Sequence, residues 1–154
     1  MHERLSERDC TILNYLLDQG LENYSKMSRA TGLPASTIYD RIKSLRARGV
    51  IKKMCPVLDH EKLGFRIFAA LEIEVAGMRE IEPLKRKYEH IASVIGLFKM
   101  SGNYDLLALV LVQSPEELEE LIKKILEEPE VKDVHGNLGM KSYKFSQSPF
   151  PIKL

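Results

Sequence analysis

The chain has 154 residues, 44% hydrophobic and 29% charged, a globular balance that sets aside intrinsic disorder and leaves room for one ordinary domain or two small ones. No apolar run reaches the roughly 18–20 residues of a membrane helix, and Met1, His2, Glu3 and Arg4 open no leader-like apolar stretch, so a cytoplasmic protein with no membrane partner is expected. The net charge of +1 is unevenly spread: residues 1–54 hold ten Lys/Arg against six Asp/Glu (+4), and residues 55–154 hold 13 against 16 (−3), which suits only the first part to a polyanion.

Ser6 before Glu7, Arg8 and Asp9 marks a helix start, because a hydroxyl caps and first-turn acids face the positive end of the helix dipole. Leu5, Ile12, Leu13, Leu16 and Leu17 follow at helical spacing, and Gly20 is the stop. Cys10 falls within this helix and Cys55 in a later connector, so both read as small packing residues rather than a disulfide framework. A second helix starts at Tyr24 and Ser25, turns Met27, Ala30 and Thr31 inward, and ends at Gly32 after barely two turns. The third spans about residues 34–48. Pro34 sits at its first position, Ile38, Ile42 and Leu45 form its apolar stripe, and Gly49 stops it. Val50 and Ile51 read as a short strand or packed connector.

Two short helices joined by a tight turn at Thr31, Gly32 and Leu33 form a helix-turn-helix pattern, and the first helix must complete its core. A three-helix bundle that binds nothing is the structural alternative. Against it stands the outward face of the third helix: Ser36, Asp40, Lys43 and Ala47, flanked by Tyr39 and Arg46 on one side and Thr37 and Ser44 on the other. That face is polar and rich in small side chains, as a helix entering a major groove requires.

Residues 53–65 read as a linker. From residue 66 to 75, Phe68, Ala70, Glu72 and Glu74 alternate with Ile67, Ala69, Leu71, Ile73 and Val75, the pattern of a half-buried strand. Ile81, Leu84, Tyr88 and Ile91 then recur at helical spacing. Residues 92–100 read as a second strand, Ser101 to Tyr104 as a Gly/Asn hairpin turn, and residues 106–112 as a strand apolar enough to be covered on both faces. Ser114, Pro115 and Glu117 spell a capped helix start with a capping box, ahead of a stripe of Leu118, Leu121, Ile122, Ile125 and Leu126. Residues 131–143 supply a last strand, in which Gly136 and Gly139 signal a bulge or a close approach. The fold class expected is therefore α+β: a helix-turn-helix domain over residues 1–52, then a ferredoxin-like βαββαβ domain over 66–144 and an extended tail over 145–154. The sheet face left free by the helices calls for a second copy, with Phe68, Leu107, Leu109 and the stretch 50–57 as candidate contacts.

This arrangement resembles the Lrp/AsnC, or feast/famine, transcriptional regulators over about residues 5–144. The resemblance rests on Leu5, Ser6, Glu7, Arg8, Asp9, Ile12 and Leu13; on Gly32, Leu33, Thr37, Ile38, Arg41, Ile42, Leu45, Gly49, Val50 and Ile51; on Asp59, Lys62, Leu63 and Gly64; and on Ser101, Gly102, Asn103, Tyr104 and Asp105. It implies a DNA-binding regulator that forms a homodimer, often assembled further into octamers, and responds to an amino-acid effector. Candidate contacts to double-stranded DNA are Ser36, Thr37, Tyr39, Asp40, Arg41, Lys43 and Arg46. Candidate effector residues are Ser101, Gly102, Asn103, Tyr104 and Asp105, with a second wall from His135, Gly136 and Asn137. The sequence departs from the family pattern at Pro34, where a serine cap is commoner, at Asn103, where an acid is, and at Val134 and Gly136, where hydroxyl residues often stand.

No metal site, cofactor or catalytic residue is expected: His2, His60, His90 and His135 are scattered, with no Cys or acid at ligand spacing. Two other classes compete with a regulator, an assembly or corepressor-like module with little DNA affinity and a sirohaem-decarboxylase-like enzyme built around His60 and His135. Binding to promoter DNA separates them from it.

Overall fold

A computed structural model describes residues 5–20 and 23–140. His2, the tail over 145–154 and the end of the last expected strand lie outside the described residues. The chain divides into two compact units that part between Leu58 and Asp59.

The first unit has three helices, α1 (Glu7–Gln19), α2 (Tyr24–Thr31) and α3 (Ala35–Ala47). Each is too short to be stable alone, so end capping and a shared core do the work. Ser6 caps α1 in a full capping box with Asp9, and Asn23 caps α2 by accepting from the Lys26 N–H. Gly32 and Gly49 adopt φ of 71° and 72°, the left-handed geometry that lets α2 and α3 end and the chain turn sharply. Pro34 lies one residue before α3 rather than at its first position, with extended backbone and no side-chain cap. Ile12, Met27, Ile38 and Ile42 form the core, and Tyr15, Leu16, Tyr24, Leu33, Ile51 and Met54 pack around it. Ile51 is thus a packed connector, and no strand runs through residues 50–66. Leu17 and Ala30, expected to face inward, are exposed. Each lies at the edge of a stripe that three short helices cannot fully enclose.

The second unit contains β1 (Ile67–Val75), α4 (Ile81–Tyr88), β2 (Val94–Lys99), β3 (Leu106–Val112), α5 (Pro115–Leu126) and β4 (Val131–Gly139), with a short 3-10 turn before α4. The sheet is antiparallel throughout, in the order β2-β3-β1-β4. This is the ferredoxin-like arrangement. α4 and α5 cover the face that carries Ala69, Leu71, Ile73, Val75, Leu106, Ala108, Val110 and Val112. Leu84, Tyr88, Leu121 and Ile125 fill the space between helices and sheet. β3 is interior to the sheet but covered on one face only, since Leu107, Leu109 and Leu111 remain half-buried on the other. Leu126 is exposed because α5 ends there. Ser114 accepts from the Glu117 N–H, but the Glu117 carboxylate returns to the Gln113 N–H, one residue before a capping-box partner.

Of the two glycines of β4, Gly139 marks a close approach and Gly136 an ordinary contact, while the bulge lies elsewhere. A Cβ on Gly139 would fall 2.7 Å from the Phe68 ring, and one on Gly136 would lie 3.4 Å from Ile122. The register of β4 against β1 shifts where Glu74 pairs with Asp133 and Val75 with Val131, leaving Lys132 as the extra residue.

Candidate functional site

α3 presents its polar side to solvent because Ile38, Ile42 and Leu45 are almost fully buried. Ser36, Asp40, Lys43 and Ala47 are exposed along one line, with Tyr39 and Arg46 beside it. Thr37 and Ser44 on the other flank are half-buried. Tyr39 stands edge-on to Tyr24 of α2, with ring centroids 5.7 Å apart, so its ring is braced while about half of it stays exposed. Arg46 reaches the sulfur of Met54 at 3.2 Å.

Arg41 points elsewhere. Its Nη1 lies 3.5 Å from Oδ1 of Asp9, and Nη1 of Arg48 lies 3.8 Å from Oδ2 of the same carboxylate. Oδ2 also accepts from the Ser6 N–H at 2.9 Å and the Ser6 hydroxyl at 2.8 Å. Asp9 is the one buried charged residue described. Burial alone would raise its pKa, but the Ser6 hydrogen bonds and then the Arg41 and Arg48 charges outweigh it and hold the carboxyl below the ordinary 3.8. Arg41 is therefore set apart from the six other candidate DNA contacts.

In the second unit, the loop between β2 and β3 is wider than a two-residue hairpin turn. The last ladder pair is Lys99 with Leu106, and the Met100 N–H bonds to the Asp105 carbonyl. Gly102 does not use left-handed backbone, and a Cβ there would meet nothing within 4 Å. Ser101, Gly102 and Asn103 are exposed. Asp105 turns inward: its Oδ2 accepts from the Val75 N–H at 2.9 Å while its own N–H bonds to the Ile73 carbonyl. One carboxylate oxygen thus continues the ladder at the end of β1. Tyr104 lies against His135, with ring centroids 5.7 Å apart, so the loop and β4 do meet. Asn137 shares that sheet face and donates to Glu72 at 3.4 Å. Gly136 lies on the opposite, helix-covered face against Ile122 and Leu71.

Sequence reasoning missed Glu72, Glu74, Lys132 and Asp133. His135 Nδ1 is 3.4 Å from Asp133, and Lys132 reaches Glu74 at 3.1 Å. The alternation in β1 already places Glu72 and Glu74 opposite the core, but only the pairing of β1 with β4 sets them beside His135. His60 opens the turn that carries Lys62 and Gly64. Among the described residues no group of three His, Cys, Asp or Glu is gathered as metal ligands, and no helix is long and apolar enough to cross a membrane.

Residues 67–149 match the Lrp/AsnC ligand binding domain, and residues 5–52 match a winged helix-turn-helix DNA-binding domain. The chain belongs to the Lrp/AsnC family. The HTH-type transcriptional regulator FL11 of Pyrococcus horikoshii is 32% identical over 99% of this chain and 100% of its own. Among solved structures, a transcriptional regulator of Neisseria meningitidis in complex with L-methionine superposes with a TM-score of 0.87 at 19% identity, covering 95% of this chain and 96% of the other. The feast or famine regulatory protein of M. tuberculosis complexed with L-methionine superposes at 0.86 with 22% identity, covering 96% and 100%. These likenesses establish the ferredoxin-like α+β fold with its helix-turn-helix, and the protein is a DNA-binding transcriptional regulator with a small-molecule-binding domain. The family is one of regulators rather than enzymes.

Within this Lrp/AsnC chain the Asp9 cluster has a pH signature. A carboxyl whose pKa is depressed on folding stabilises the native state above its unfolded value, and the gain is lost as pH falls through the lower folded value. The Asp9→Asn variant is expected to be about 2 kcal/mol less stable than wild type at neutral pH. The difference should hold above about pH 5 and shrink as pH drops below 3.8. Chemical denaturation at a series of pH values measures it, and a difference unchanged down to pH 2 would contradict the assignment.

Proposed function

We propose that α3 reads DNA through Ser36, Thr37, Tyr39, Asp40, Lys43 and Arg46, that two copies pair through the open face of the sheet, and that an amino acid binds near the β2–β3 loop. The observation that carries the DNA assignment is the exposed line of Ser36, Asp40 and Lys43 beside the braced ring of Tyr39. Short side chains near the N-terminus of α3 allow close approach to base edges, and Asp40 could accept from a cytosine amino group. Lys43 and Arg46 suit phosphates. Ala substitution of both is expected to weaken binding to all sequences alike and to lower the salt slope by about one for each phosphate left without its cation. Fluorescence anisotropy on fragments selected from the source genome tests this, and unchanged affinity would remove α3 as the reader.

The open sheet face carries Phe68, Ala70, Leu107, Leu109 and Leu111 in register, with an exposed Phe98 alongside. An apolar patch of this kind on a sheet with helices on one side only is a docking surface for a second copy. On a two-fold dimer the two α3 helices would meet half-sites one helical turn or a multiple apart. Leu109→Asp is expected to shift the protein to monomer in analytical ultracentrifugation at micromolar concentration. A dimer that persists in this variant would move the interface elsewhere.

The effector reading draws on relatives that were crystallised with L-methionine. Gly102 is required neither by its backbone angles nor by crowding within the chain. Its open N–H suits an α-carboxylate, and the free oxygen of Asp105 suits an α-ammonium. A ligand that binds two assembly states unequally changes DNA affinity by that difference. Because Asp105 also holds the Val75 N–H, Asp105→Asn is the informative variant: the amide oxygen keeps that bond while the charge is removed. It is expected to cut amino-acid-induced thermal stabilisation by tenfold in ligand concentration or more and to leave the unliganded melting temperature nearly unchanged. Equal stabilisation of variant and wild type would exclude Asp105 from the site.

A further inference from the structure

We propose that Asp9 is a positioning residue for DNA reading: by clamping Arg41 and Arg48 it fixes the roll and register of α3 and withholds both guanidinium groups from the DNA backbone. The proposal rests on the reading of α3 as the DNA helix. Arg41 and Arg48 are seven residues apart, two helical turns, and so lie on one side of the helix. That side faces the start of α1, where the carboxylate of Asp9 takes one arginine on each oxygen, at 3.5 Å and 3.8 Å.

The buried stripe and the Tyr39–Tyr24 contact orient α3 coarsely, and the Asp9 pairs add a charged constraint at a second and third point. Ile38, Ile42 and Leu45 bury an apolar stripe that decides which side of α3 faces the core, but aliphatic contacts repack through small rotations and slides more easily than a charged pair at fixed spacing does. Pro34 gives no side-chain cap to pin the N-terminus. Two charged pairs spaced two turns apart hold both the angle and the axial position of the helix. Asp9 is itself fixed, because Ser6 binds its Oδ2 through both the backbone N–H and the hydroxyl and the whole residue is 2% exposed. A DNA phosphate that drew off either arginine would leave this buried carboxylate short of a counter-charge, which is costly. The two arginines are partly exposed, and each places its Nη1 on one oxygen of Asp9. Phosphate binding is left to Lys43 and Arg46.

A residue that touches phosphate and a residue that positions the helix give different signatures. Binding of the full chain is measured on a genome-selected fragment and on a random duplex of equal length, across a salt series. Lys43→Ala is expected to lower the salt slope on random duplex by about one. Arg41→Gln and Arg48→Gln are expected to leave that slope as in wild type while the ratio of selected to random affinity falls about tenfold. Asp9→Asn is expected to lower the same ratio and to raise the slope by one to two, as the freed arginines reach phosphates. A slope lowered by Arg41→Gln or Arg48→Gln as much as by Lys43→Ala overturns the clamp and leaves α3 as reader. Asp9→Asn with wild-type ratio and slope also overturns it. If Asp9→Asn does not fold by circular dichroism, the two arginine variants decide alone. An unchanged slope in Lys43→Ala overturns the reader assignment, and the clamp with it.

Discussion

The second unit is organised by the two-residue period of β1, which pairs with β3 on one side and β4 on the other. Each strand must put alternate side chains on opposite faces. In β1 this sends Ala69, Leu71, Ile73 and Val75 under the helices and Phe68, Ala70, Glu72 and Glu74 to the open side. The register with β3 then places Leu111, Leu109 and Leu107 beside Phe68, Ala70 and Glu72. The register with β4 places Gly139, Asn137, His135 and Asp133 along the other edge. One strand therefore divides the open face into an apolar part over β3 and a polar part over β4. Phe68 lies across Gly139 and Phe98 across Gly96, so each ring partly covers a position where a strand has no side chain of its own.

The first unit meets a different constraint. Three helices of 13, 8 and 13 residues enclose only a handful of buried apolar side chains. A small core leaves orientation under-determined, and polar interactions at the helix ends supply what is missing. Ser6 with Asp9, Asn23 with the Lys26 N–H, and Thr31 with the Met27 carbonyl each satisfy a backbone group near a helix terminus. α3 lacks a side-chain cap of this kind. Beside the Tyr39–Tyr24 ring contact, it has ion pairs from Arg41 and from its C-cap Arg48 to a carboxylate on another helix.

Much of this was legible in the sequence because it depends on local period and capping. The stripes of α3 and α4, the alternation of β1, the stops at Gly20, Gly32 and Gly49, and the ferredoxin-like order of elements all follow from residues near one another in the chain. What was not legible depends on pairing across distance. Arg41 carries a charge on a helix that faces solvent, and nothing in its neighbourhood reveals a buried acid 32 residues earlier. Asp105 looks like a free acceptor at a loop end, yet it is 30 residues from the N–H it binds. Adjacency in the chain groups Gly136 with His135 and Asn137, whereas strand period puts it on the other face. The bulge at Lys132 is not legible because a bulge need not use glycine, and of the glycines of β4 only Gly139 marks a close approach, to Phe68.

The division of the open face bears on how a ligand could be coupled to assembly. If a second copy covers the apolar part, Glu72, Glu74, Asp133 and His135 fall at the rim of that interface, where water is partly excluded. Carboxylates held there repel one another more strongly than in bulk water. Lys132 offsets one of them through Glu74, and Asn137 donates to another through Glu72. Asp133 has His135 as its neighbour, with Nδ1 3.4 Å from the carboxylate. A ligand is coupled to assembly only where it gains unequally in the assembled and separated states, and on this face the charges of β1 and β4 are the groups whose surroundings such an assembly would change.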